Sequence, residues 1–158
     1  MGKTSIIYSS SHGNTEKILK EILSLAGSSA EMVKVSRASA SDILEADKVV
    51  LGGSIHAGKI QKELADFTAK HKTLLLQKRL AVFIGCLDKE ESSKQLEKAF
   101  PEDIKNHAEV KACIGGNLEL KRLPLVLRMI MKLLVKKEKD RTFYSSPGRE
   151  KLVNFLVN

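Results

Sequence analysis

Seven consecutive residues, Ser9-Ser10-Ser11-His12-Gly13-Asn14-Thr15, gather four hydroxyls, an imidazole, an amide and a glycine. Each hydroxyl can donate a hydrogen bond, and Gly13 lets backbone close in on a ligand. The chemistry open to such a set is the holding of an anion by neutral donors. No Gly-Lys-Ser/Thr follows, so this is not the nucleoside-triphosphate loop, and it is not G-x-G-x-x-G. A phosphate held without a lysine suits a tightly kept monophosphate. On the residues alone, a plain strand-to-helix turn accounts for the segment equally well, because turns favour Ser, Gly and Asn for their own reasons.

Two further loops carry polar or small residues. They are Gly52-Gly53-Ser54-Ile55-His56-Ala57-Gly58-Lys59 and Gly85-Cys86-Leu87-Asp88. The first is read as a small-residue turn able to bring backbone close to a planar ligand, with Gly58 free to adopt positive φ. His12, His56, His71 and His107 are dispersed without ligand spacing, so no metal site and no nucleophile–base pair is expected. Cys86 and Cys113 each sit in an apolar, strand-like run and read as buried, inert thiols. Two cysteines make no disulfide framework, which agrees with a reducing compartment.

The elements that must position these loops alternate. Thr4 to Tyr8 reads as a strand, and Asn14 to Ala26 as a helix with Ile18, Leu19, Ile22 and Leu23 on one face. The first loop therefore stands at a helix N-terminus, where an anion is welcome. Strands are predicted over Glu31–Val35, Asp47–Gly53, Arg79–Cys86 and Val110–Gly115. Helices are predicted over Ser41–Leu44, Ile60–Leu76 and Glu90–Phe100, the last ended or kinked by Pro101. Such alternation predicts an α/β fold, a doubly wound parallel sheet with right-handed crossovers, in one domain over residues 1–158.

Composition narrows the partners. The chain has 158 residues, 42% hydrophobic and 29% charged, as in an ordinary globular protein. A net charge of +8 favours anionic partners. Nucleic acid is not expected, because aromatics are only 4%, Trp is absent and no basic–aromatic interleaving offers a stacking platform. Neither a cleavable leader nor a membrane-spanning run is legible, so a cytoplasmic location is expected.

The S-x-S-H-G-N-T run over Ser9–Thr15 resembles the phosphate loop of the flavodoxin family, with His12 where that family often has Thr. The resemblance implies the flavodoxin-like, five-stranded sheet of order 2-1-3-4-5, with FMN as cofactor. Ligands of such sheets lie at the C-terminal ends of strands one and three, where the order reverses. It also implies cofactor-binding roles for Ser9, Ser10, Ser11, His12, Gly13, Asn14 and Thr15 at the phosphate. Ser54, Ile55, His56, Ala57 and Gly58 would lie beside the flavin N5, and Cys86, Leu87 and Asp88 around its pyrimidine edge. Neither ring loop offers an aromatic side chain, so Ile55, His56 and Leu87 would line the ring. That predicts a two-electron flavin with a potential above that of acidic carriers, its reduced form stabilised by His56 or Lys59.

Residues Asn117 to Arg141 form an insertion that minimal flavodoxins lack. Pro124 fits the first turn of a helix, and Arg128, Lys132 and Lys136 recur every four residues as a basic stripe beside Met129 and Met131. Such a helix can pack on the domain or another subunit, meet a hydrophobic substrate, or lie on an anionic membrane surface. The Ser54-Ile55-His56-Ala57-Gly58 loop and the basic, Met- and Leu-rich insertion resemble the flavodoxin-type, quinone-linked protoporphyrinogen oxidases of heme biosynthesis. That narrower resemblance implies an FMN-dependent oxidoreductase that oxidises protoporphyrinogen IX and reduces a quinone. Arg128, Met131 and Lys132 would then contact substrate or membrane, with peripheral contact at the inner membrane face through residues 123–137. The alternatives are a flavodoxin carrying electrons to a redox protein, or a flavin-free interaction domain. Arg141–Tyr144 reads as a returning strand, and Ser146-Pro147 opens a closing helix that buries Leu152, Phe155 and Leu156.

Overall fold

The computed structural model describes residues 2–118, 124–126, 129, 141–144 and 146–158. Arg128, Met131 and Lys132, and with them the basic stripe, lie outside the described residues. The main sheet runs β1 (Thr4–Ser9), β2 (Glu31–Lys34), β3 (Lys48–His56), β5 (Arg79–Gly85) and β6 (Val110–Cys113), after the short β4 (Lys59–Ile60) is set aside. Its order is β2-β1-β3-β5-β6, with every pair parallel. Counted over these five strands, that is the expected 2-1-3-4-5 flavodoxin-like topology.

Alternation along the central strands divides the core in two. Ile7, Val49, Leu51, Val82 and Ile84 face one way. They pack against Leu64, Phe67, Leu75 and Ile104, from the helices α3 (Lys62–Lys70), α4 (Lys72–Leu75) and α6 (Glu102–His107). Ile6, Tyr8, Val50, Ala81 and Phe83 face the other way, onto α1 (Asn14–Ala26) and α7 (Ser146–Val157). Those helices contribute Ile18, Leu19, Ile22, Leu152, Phe155 and Leu156. Strands covered on both faces read as continuous apolar runs, and each fully buried Leu, Ile or Phe adds roughly 1.5–3 kcal/mol. The remaining helices are α2 (Ala40–Leu44), entered through a capping box of Ser39 and Asp42, and α5 (Ser92–Ala99).

The structure departs from the sequence reading at four places. The strand expected to end at Gly53 continues to His56, so Ser54, Ile55 and His56 lie within β3 rather than in a loop. A Cβ on Gly53 would overlap Ser9 Oγ of β1, and one on Gly52 would overlap the Phe83 carbonyl of β5. The helix expected over Ile60–Leu76 begins only at Lys62 and breaks at His71, since Lys59 and Ile60 fold back antiparallel on β3. Pro101 both ends α5 and opens α6, a helix the sequence reading left unassigned. Beyond β6 a further strand, β7 (Gly115–Leu118), pairs with the expected returning strand Arg141–Tyr144 (β8), so the insertion is rooted on a two-stranded antiparallel ribbon. Arg149 of α7 is buried and binds this end of the sheet, donating to the Ile114 carbonyl (3.0 Å) and to Glu21 of α1 (3.0 Å).

Candidate functional site

The three loops emerge at the C-terminal ends of β1, β3 and β5, adjacent strands of one parallel sheet. In the first, Ser9 closes β1 and is buried, its Oγ without a hydrogen-bond partner. Ser10 Oγ accepts the Gly13 N–H (3.1 Å), which curls the loop. Gly13 takes φ 79°, caps α1 without any side-chain bond and leaves open space where a Cβ would stand. Asn14 and Thr15 begin α1, and the Thr15 side chain is buried. The result is a helix N-terminus whose N–H dipoles lie at the end of the loop, the arrangement that favours an anion.

The second loop is a tight hairpin. Ala57 (φ 49°) and Gly58 (φ 75°) are the two turn residues between paired His56 and Lys59. Positive φ at both positions is what a two-residue type I′ connection requires. The extension of β3 before the turn places His56 beside the first loop. His56 Nε2 lies 3.1 Å from Ser54 Oγ and 3.3 Å from Ser11 Oγ. Gln61 Nε2 donates to the same two hydroxyls, at 2.6 Å to Ser11 and 3.1 Å to Ser54. The amide takes one lone pair of each hydroxyl, and a neutral His56 can accept one of the two hydroxyl protons at Nε2. Although part of its surface faces solvent, crowding lowers the His56 pKa, with the nearby His12 charge a smaller second cause. His12 stands edge-on to His56, ring centroids 6.4 Å apart. Ile55 is half-buried and pairs with Ile60.

In the third loop Cys86 is buried, Leu87 half-buried and Asp88 exposed. The Asp88 carboxylate accepts the N–H groups of Glu90 (3.0 Å) and Glu91 (3.3 Å), so it shapes the path into α5. All three loops meet around Gly85. A Cβ placed there would lie 3.5 Å from Thr15 Oγ1, 3.7 Å from Ser54 Cα and 3.3 Å from the Gly115 carbonyl. Gly116 of β7 sits against the Cys86 carbonyl and Leu87, which brings the root of the insertion to this loop. Within the insertion, Leu125, Val126 and Met129 are exposed. Among the described residues no helix is long and apolar enough to cross a membrane.

Sequence reasoning missed Gln61, which it placed inside a helix, and the contribution of Gly115 and Gly116. It also took Cys86 and Cys113 as separate inert thiols, whereas their sulfurs lie 2.7 Å apart across β5 and β6. A hydrogen bond joins the two sulfurs, with either thiol able to donate, and that bond together with burial pushes the Cys86 pKa up. The same bond is the main cause holding Cys113 below the usual thiol range, reinforced by backbone hydrogen bonds from Gly115 and Cys86 against the effect of burial.

The family model described as "Flavodoxin domain" matches residues 5–145. No curated protein sequence matches the chain. Among solved structures, it is similar to the rubredoxin oxygen:oxidoreductase of Desulfovibrio gigas, with TM-score 0.57 and 17% identity over 98% of this chain and 36% of that one. The chain thus spans little more than a third of that protein. It is also similar to the flavodoxin of Streptococcus pneumoniae TIGR4, with TM-score 0.53 and 16% identity over 97% of this chain and 94% of that one. Flavodoxin 1 of Bacillus cereus gives TM-score 0.52 and 18% identity over 97% and 93%. At these identities the likeness speaks to the fold.

Proposed function

This chain belongs to the flavodoxin domain family, and from that premise we propose that it is a redox protein holding FMN between the three loops. FMN is the cofactor that family membership assigns. In this reading the phosphate rests on Ser9, Ser10, Ser11, His12, Gly13, Asn14 and Thr15. The ring lies between Ser54–Gly58 and Cys86–Asp88. The observation that carries it is the meeting of Thr15, Ser54 and Gly115 around Gly85, where an added Cβ would sit tightly against the Gly115 carbonyl. Two features of the chain fit the group: the buried, unpartnered Ser9 Oγ and an α1 N-terminus capped by Gly13, which has no side chain to bond its N–H groups. When bound, FMN supplies two-electron exchange between a donor and an acceptor. The chain's own part is to orient the ring, exclude water with Ile55 and Leu87, and keep neutral His56 hydrogen-bonded between Ser11 and Ser54. Titrating flavin-stripped protein with FMN, followed by flavin fluorescence, tests this directly. Saturable binding at micromolar concentration supports the reading, and a protein that takes up none overturns it.

We infer further that the protein is an oxidoreductase with a substrate of its own, a protoporphyrinogen oxidised with a quinone as acceptor. Three features support this: the Ser54-Ile55-x-x-Gly58 loop, the insertion rooted beside Leu87 with Leu125, Val126 and Met129 exposed, and a +8 charge that suits a carboxylated, hydrophobic substrate. Contact of residues 123–137 with substrate or an anionic membrane surface belongs to the same proposal, as do Arg128, Met131 and Lys132. Steady-state turnover of protoporphyrinogen IX with menaquinone tests it. FMN-loaded protein without turnover is instead an electron carrier. A variant lacking residues 119–140 should keep FMN and lose turnover; unchanged turnover removes the insertion from the substrate site.

A further inference from the structure

Cys86 and Cys113 are 27 residues apart in sequence, yet their sulfurs stand 2.7 Å from each other. Parallel pairing sets Ile84 beside Cys113, and the Ile114 N–H donates to the Ile84 carbonyl just beyond. The chain then runs through Gly85 to Cys86, whose side chain returns over its neighbour strand. A bonded pair of sulfurs is about 2.05 Å apart, so a bond here asks for a closing movement of only about 0.7 Å. The surroundings of the two thiols differ. Cys86 is buried, 3% exposed, and its thiol can donate to the Asp88 carbonyl (3.8 Å). Cys113 is only half-buried and receives hydrogen bonds that favour its thiolate. A reachable, stabilised thiolate beside a buried, protonated thiol is the division of labour of an attacking and a resolving cysteine.

We propose that Cys86 and Cys113 form a reversible dithiol–disulfide couple that exchanges with low-molecular-weight disulfides, Cys113 attacking and Cys86 resolving. The Cys113 thiolate attacks one sulfur of R–S–S–R, forming a mixed disulfide and releasing one thiolate. That thiolate takes up the Cys86 proton. Cys86 then attacks Cys113 Sγ, the Cys86–Cys113 bond forms, and a second thiolate leaves and is protonated from solvent. The protein dithiol is oxidised by two electrons, and the external disulfide is reduced to two thiols. No flavin takes part, so the couple stands or falls apart from the FMN reading.

The test treats the native full-length chain, reduced and freed of reductant, with oxidised glutathione, and follows intact mass and alkylation by iodoacetamide. The expected product has lost two hydrogens, retains no glutathione, resists alkylation at both cysteines, yields a Cys86–Cys113 cross-linked peptide and recovers on treatment with dithiothreitol. The Cys86→Ser variant should instead retain one glutathione on Cys113. Cys113→Ser should react at least ten-fold more slowly than wild type. Wild-type protein that keeps two alkylatable thiols, holds glutathione stably, or links two copies overturns the proposal, whatever the variants do.

Discussion

The Tyr8 hydroxyl donates to the Glu16 carboxylate across 2.9 Å, tying the last turn of β1 to the first turn of α1 beneath the loop that joins them. Glu16 is also paired with Lys20 (2.8 Å), whose hydrogen bond is the larger cause holding its carboxyl below the usual range. Burial, and then this bond to Glu16, push the Tyr8 pKa up from 10.0 to about 12. Between those values the folded protein binds more protons than the unfolded chain, so stability falls as pH rises. The contribution is complete below pH 10 and lost as pH climbs through about 12. Tyr8→Phe should cost about 1.5 kcal/mol at neutral pH, a hydrogen bond to a charged acceptor, and should flatten the alkaline limb. Urea unfolding of both proteins across that range measures it; equal alkaline slopes would count against the bond.

His56 works in the opposite sense. Its pKa lies below the ordinary 6.5, first because of burial and second because of His12. Just below pH 6.5 the unfolded chain therefore binds the extra proton, and stability falls as pH drops. The contribution is present above 6.5 and lost as the pH falls through the folded value. Replacement by Asn should remove that acid-side slope. An imidazole resonance of His56 titrating with a midpoint above 6.5 would contradict the neutral ring held between Ser11 and Ser54.

The hairpin turn predicts two substitutions of opposite sign. Ala57 occupies a left-handed conformation (φ 49°), which costs an L-residue roughly 1–2 kcal/mol, while glycine loses about 0.5–1 kcal/mol of unfolded-chain freedom. Ala57→Gly should thus stabilise the protein by up to about 1.5 kcal/mol. Gly58→Ala, at φ 75°, should destabilise it by about 1 kcal/mol although nothing lies within 4 Å to clash. Thermal melts of the two variants moving in the same direction would show that the turn is not of this class.

What could be read in the sequence was local or periodic. The β1–loop–α1 unit is contiguous, and alternation of Ile6 with Ile7, or Val49 with Val50, announces a strand covered on both sides. What escaped depends on partners far along the chain. Lys59 and Ile60 are a strand only because Ile55 and His56 extend past the sheet to receive them, and two residues carry no period. That short return moved the start of α3 and put Gln61 at its N-cap, over Ser11 and Ser54, where a helical reading gave it no role. Cys86 and Cys113 looked inert for the same reason: their contact is set by the register between β5 and β6, which no local pattern encodes. Gly52 and Gly53 close the strand read from the sequence, but that they mark strands too close for a Cβ depends on Ser9 and Phe83 of the neighbouring strands.

Ser9 separates the needs of the fold from those of a ligand. Its Oγ is buried with no hydrogen-bond partner, a condition that costs roughly 1–3 kcal/mol when nothing offsets it. The position leaves no room for a larger group, since Gly53 packs directly on that oxygen. Ser9→Ala keeps the volume nearly unchanged and removes the unpaired hydroxyl, so the flavin-free variant should be more stable than wild type. If the hydroxyl is kept for the FMN phosphate, the same variant should bind FMN about ten-fold more weakly, the worth of one hydrogen bond to a charged group. Stability measured by urea titration and affinity measured by fluorescence should move in opposite directions. Were FMN affinity unchanged while stability rose, Ser9 would be an unpaired residue of β1 with no part in phosphate binding.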